Sequence, residues 1–160
     1  MPLPAGLTSY IAELKAYDLK PLPTPADAAR AFAKAFANFF GFAGLDSVPI
    51  LPTTNLLPSA VQAMTEVLVP AFTAPKDPAS SCLLMQQAFI AYWNAAPISA
   101  MWPTATAVAP VAPQLADILV ASMVPPLPGA KAKLANGIMQ WVTSGVDVTL
   151  STSPDPFKFQ

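Results

Sequence analysis

TPADAARAFAKAFANFF, residues 24–40, decides the fold class. Thr24 suits a helix cap, Pro25 suits the first helical position, and Asp27 sets a negative charge near the positive helix end. Behind this start Phe32, Ala35, Phe36, Phe39 and Phe40 recur at i, i+3, i+4, i+7 and i+8, the spacing of one helical face. Gly41 and Gly44 follow as stop signals. The stretch predicts an amphipathic helix with an aromatic face.

The same pattern recurs on both sides. Leu7, Ile11, Leu14 and Tyr17 make a stripe that predicts a first helix over about Thr8–Tyr17, linked to the second by an extended path around Pro21 and Pro23. Ser59-Ala60-Val61-Gln62 fits a capping box ahead of Val61, Met64 and Leu68, and this helix is predicted to stop at Pro70. Asp77-Pro78 opens a fourth helix bearing Met85, Phe89, Tyr92, Trp93 and Ala96, ended by Pro97. The Pro- and Thr-punctuated segment from Pro97 to Ala112 reads as irregular. Pro113 starts a fifth helix with Leu115, Ile118, Leu119 and Met123. A sixth carries Leu134, Ile138, Trp141 and Val142, with Gly145 as a left-handed cap. The reading is all-α: a compact bundle of about six short helices with long Pro-rich loops. A faint echo links Ala35-Phe36-Ala37-Asn38-Phe39-Phe40 to Ala88-Phe89-Ile90-Ala91-Tyr92-Trp93. A repeated helix–loop–helix unit explains it, and so does the general likeness of amphipathic helices in an Ala-rich chain.

After Gly145 the period changes to two. Val146, Val148 and Leu150 alternate with Asp147, Thr149 and Ser151, the pattern of a strand. A lone strand leaves its backbone donors and acceptors unsatisfied, and strand signals are poor elsewhere. The expected organisation is a helical domain over 1–145 and an extended C-terminal arm over 146–160. In that arm Pro154 and Pro156 favour an extended path, and Phe157 and Phe159 offer two anchors on one side.

Composition narrows the function classes. The 160 residues suit one domain, with 54% hydrophobic and only 11% charged side chains, against a usual charged share of about 25%. Residues 78–116 hold no charged side chain at all. That balance opposes disorder, and a net charge of -1 gives no footprint for nucleic acid. Gln86, Gln87, Asn94 and several prolines interrupt the charge-free span, which argues against a membrane-spanning helix. The first residues lack the basic and apolar regions of a signal peptide.

The inventory for catalysis is short. With no histidine, a Ser–His–Asp or Cys–His nucleophile and a His-ligated metal site are excluded. Cys82 is the only cysteine and reads as a small apolar residue beside Leu83, although a helix start also suits an activated thiol. The glycines form no phosphate loop of standard spacing. Asp46, Glu66, Asp77 and Asp117 are too scattered to define an acid–base pair, and Asp117 is expected on the outer side of its helix. No catalytic, metal or cofactor residue is assigned. The aromatic set supplies an ordinary core or, alternatively, the lining of a small-molecule pocket. Trp102, in a loop bounded by Pro97 and Pro103, is the candidate anchor for a partner.

The order of features from Leu83 to Phe159 resembles small Ala/Pro-rich phage virion proteins. It runs from a helix ending in Tyr92-Trp93-Asn94, through a Pro/Ala-rich loop and Leu-rich helices, to Val146-Asp147-Val148-Thr149 and a Pro-containing tail. The resemblance implies a helical module of a tail, neck, baseplate or capsid, located in the virion; otherwise the cytoplasm is expected. The expected function is a non-enzymatic structural subunit that forms homo-oligomers and binds other structural proteins of the same assembly. Its candidate contacts are Trp102, Val146, Val148, Leu150, Phe157 and Phe159. The alternatives are a helical ligand-binding protein or carboxylate-dependent enzyme with an aromatic-lined cavity, and a membrane-interacting helical protein.

Overall fold

The computed structural model describes residues 3–20, 22–40, 58–73, 77–95, 105–110, 115, 117, 129–144, 146–150, 155 and 157–158. Five helices lie among them: α1 (Leu3–Leu19), α2 (Pro25–Phe40), α3 (Pro58–Thr73), α4 (Pro78–Ala95) and α5 (Ala130–Ser144). The all-α reading holds for this helical part. Of the helix predicted from Pro113, Leu115 and Asp117 are described and both are helical, Leu115 buried and Asp117 exposed. The rest of it lies outside the described residues.

Local chemistry sets the helix starts. The Asp27 N–H donates to Thr24 Oγ1 at 3.1 Å, and that hydroxyl donates in turn to Asp27 Oδ2 at 2.7 Å. One orphan backbone donor is satisfied, and the capping side chains hold each other. At α4 the Ser80 N–H donates to Asp77 Oδ1 at 2.9 Å, and the Ser80 hydroxyl donates to Asp77 Oδ2. Gly129 precedes α5 with φ at +84°, a conformation that costs glycine little. Its carbonyl accepts the Lys133 N–H at 3.0 Å, opening the helix ladder.

Four boundaries differ from the sequence expectation. α1 is longer at both ends than Thr8–Tyr17. α3 starts at Pro58, so Ser59 is inside the helix, where its hydroxyl donates to the Ala95 carbonyl at 3.4 Å and ties α3 to the end of α4. The predicted stop at Pro70 is also corrected, since α3 continues through Pro70 to Thr73. A proline removes its own N–H bond and crowds the carbonyl four residues back, a local cost, and this one is exposed in the last turn. The Thr73 hydroxyl then donates to the Val69 carbonyl at 2.7 Å, satisfying one of the free acceptors of the helix end.

Helices α1 to α4 alternate in direction. Tyr17 Oη donates to the Ala31 carbonyl at 3.1 Å, and Asn38 Nδ2 lies within reach of the Glu13 carboxylate, so α1 and α2 are opposed. α3 packs against both α2 and α4, and α5 packs on α1. The core between them is largely aromatic. Tyr10, Phe36, Phe39, Phe40, Phe89 and Trp141 are among the largest fully buried side chains.

The C-terminal strand has partners within the chain. β1 (Ala105–Pro110) pairs antiparallel with β2 (Val146–Leu150), which pairs antiparallel with β3 (Phe157–Lys158), in the order β1-β2-β3. The register matches Val108 with Val148 and Pro110 with Val146, with an irregularity between Ala105 and Ala107. Two expectations are corrected here: Ala105–Pro110 is not irregular, and Val146–Leu150 does not lack an in-chain partner. Strand identity in β1 comes from long-range pairing, which no local propensity of an Ala-rich segment announces.

Candidate functional site

Among the described residues, the aromatic side chains expected to line a pocket are spent on each other. Phe36 meets Phe89 edge-to-face with ring centroids 4.4 Å apart, and meets Tyr92 at 5.2 Å. Tyr10 stacks on Phe39 at 4.8 Å, while Trp93 and Trp141 approach to 5.3 Å. Such offset and T-shaped pairs stabilise beyond area burial, by about 0.5–1.5 kcal/mol each. The set is a core, and its polar atoms are costly in it. Tyr10 Oη and Trp141 Nε1 are buried with no hydrogen-bond partner among the described residues. Burial pushes the Tyr10 phenol far up, with the nearby Glu13 and Tyr17 adding to it, and pushes Tyr92 up to about 12. Neither phenol is set up to exchange protons near neutral pH.

The other reactive groups sit equally far from chemistry. Cys82 is buried, and its thiol is raised by that burial, the opposite of activation. The Ser80 hydroxyl and then the Ser80 N–H hold the Asp77 carboxyl below its ordinary value, as a helix cap requires. Asp117 is exposed, as expected. Among the described residues no group of three His, Cys, Asp or Glu side chains could hold a metal ion. Nor is any described helix long and apolar enough to cross a membrane.

Two surface features remain. The first is apolar. Leu19 is 89% exposed, Leu83 49% and Phe72 41%. Leu19 is the last residue of α1, Phe72 lies in the last turn of α3, and Leu83 lies in the second turn of α4. Because the four helices alternate in direction, these positions share one end of the bundle. The second feature is an open groove of about 580 Å³ between α2 and α3, with Ala26, Arg30 and Lys34 on one wall and Pro58, Gln62 and Glu66 on the other. Among the described residues no aromatic side chain lines it.

The sequence candidates fall elsewhere. Trp102 and Phe159 lie outside the described residues. Val146, Val148 and Leu150 belong to β2 and Phe157 to β3, so the sheet gathers four of the six candidates into paired strands. Sequence reasoning missed Leu19, Phe72 and Leu83. Leu83 falls off the Met85–Phe89–Tyr92 stripe, which was a usable signal, whereas Phe72 was hidden by the assumed stop at Pro70.

Comparison with protein-family models, with curated proteins and with solved structures finds no match to this chain.

Proposed function

We propose that this protein is a non-catalytic structural subunit of a virion-like assembly, joined to further copies of itself and to other structural proteins through the apolar end of its helical bundle. The observation that carries the reading is the exposure of Leu19, Phe72 and Leu83 at that end. Large apolar side chains exposed at one end of the bundle favour contact with another protein over water. The low charge content works in the same direction, since it leaves little repulsion between copies. Strand addition to a neighbour's sheet through β2 is not part of the proposal, because β2 has strands on both sides.

The rival ligand-binding reading relied on an aromatic-lined cavity, and the aromatic side chains that would line it are packed ring on ring. Site-specific photo-crosslinking tests the proposal. A photoreactive side chain at Leu83 should give a cross-linked dimer, while the same group at exposed Asn136 of α5 should give none. Equal yields from both positions, or none from Leu83, would count against the apolar end as the contact.

A further inference from the structure

We propose that the α2–α3 groove binds a single-chain amphiphilic anion, a medium-length acyl tail carrying a carboxylate or sulfate head. Arg30 and Lys34 stand one turn apart on the α2 wall, so both cations flank the same stretch of groove. Both are exposed, and neither has an ion-pair partner among the described residues. The floor is apolar in effect. Val61 and Thr65 are buried and Val69 is half-buried. The Thr65 hydroxyl is committed to the Val61 carbonyl at 2.7 Å and so offers the groove no free donor.

Glu66 is the opposing charge. It lines the other wall and accepts a hydrogen bond from Gln62 Nε2 at 3.0 Å. Its repulsion steers an anionic head to the α2 side, leaving the tail to run along the valines. The volume of about 580 Å³ falls within the roughly 300–1,000 Å³ of small-molecule sites. From Val61 to Val69 the helix rises ~12 Å, the length of a medium acyl tail. The two cations and the apolar floor thus match the two halves of one amphiphile, which neither a bare anion nor a neutral alkane would satisfy.

Calorimetry with decanoate below its aggregation concentration tests the assignment, with decanol and acetate as half-ligands. Decanoate should bind at least tenfold more tightly than either. The Arg30→Gln/Lys34→Gln double variant should weaken decanoate at least tenfold, while Glu66→Gln should tighten it. All three positions are exposed, so these variants keep the core, which circular dichroism checks. Methyl resonances of Val61 and Val69 should shift on saturation. Equal affinity for decanol, or retained affinity in the double variant, would overturn the proposal. So would a change of oligomeric state in the double variant, which would make the groove an interface between copies. Capture by phosphatidylglycerol vesicles through Arg30 and Lys34, without binding of free decanoate, would make the partner a bilayer and also overturn it.

Discussion

Phe36 and Phe89 meet edge-to-face, their ring centroids 4.4 Å apart and their planes at 77°, and they hold the same place in two similar six-residue runs. Phe36 is the second residue of Ala35–Phe40, and Phe89 is the second of Ala88–Trp93. The last residues of the two runs, Phe40 and Trp93, meet as well, at 5.9 Å. The two helices that bear them lie on either side of α3, so long aromatic side chains bridge a distance the backbones do not close.

Truncating either ring should therefore be costly and coupled. Phe36→Ala and Phe89→Ala are each expected to destabilise by about 3–5 kcal/mol, through lost burial and a residual cavity. The double variant should cost less than the sum, with a coupling of about 0.5–1.5 kcal/mol in urea unfolding. Additivity within about 0.3 kcal/mol would mean that the two rings do not act as a pair.

Pro70 offers the opposite test. It sits inside α3, exposed, where it removes the N–H that would bond the Glu66 carbonyl. Pro70→Ala restores that donor and relieves the ring clash, a helix-interior penalty of up to about 3 kcal/mol. Some of that gain is offset by a freer unfolded chain, leaving a net stabilisation of about 1–2 kcal/mol. Thermal unfolding measures it. A lower melting temperature for Pro70→Ala would place the end of α3 before Pro70.

Stability should fall at both ends of the pH scale for identifiable reasons. The Asp77 carboxyl is lowered in the folded state, mainly by the Ser80 hydroxyl and then by the Ser80 N–H. Its stabilising effect is present above the unfolded aspartate value of about 3.9 and is lost as pH falls through the lowered folded value. Asp77→Ala should thus melt lower than the parent at pH 7, with the gap closing in acid.

At the alkaline end, burial raises Tyr92 to about 12 and Tyr10 further still. These phenols favour the fold fully below about 10, and that contribution is lost as pH rises through the folded values. Ultraviolet titration should show Tyr92 and Tyr10 ionising only above the ordinary tyrosine range. A native-state titration with all three tyrosines near 10 would contradict their burial.

Legibility followed the range of the interaction. Thr24 with Asp27, and Asp77 with Pro78, are local signatures, and the starts of α2 and α4 were readable from them. The aromatic stripe of α2 was readable because its period is set within one helix. Pro70 misled because one lost bond and one ring clash in a last turn weaken a helix without ending it. Ala105–Pro110 was unreadable as a strand because its identity rests on pairing with Val146–Leu150, far along the chain. The groove could not be seen either. Arg30 and Lys34 stand at i and i+4 in the sequence, but only the placement of α3 beside them makes a wall into a cleft.

Sedimentation equilibrium of the parent chain and of a Leu19→Ser/Leu83→Ser variant tests the proposed role most directly. Phe72 is left in place because its ring rests 6.3 Å from that of Phe32, whereas Leu19 and Leu83 are the more exposed. The account predicts that the parent's apparent mass rises above 16.7 kDa with concentration, and that the variant stays at 16.7 kDa with an unchanged helical spectrum. A parent chain that remains at 16.7 kDa throughout, or a variant that associates as the parent does, would contradict assembly through this end.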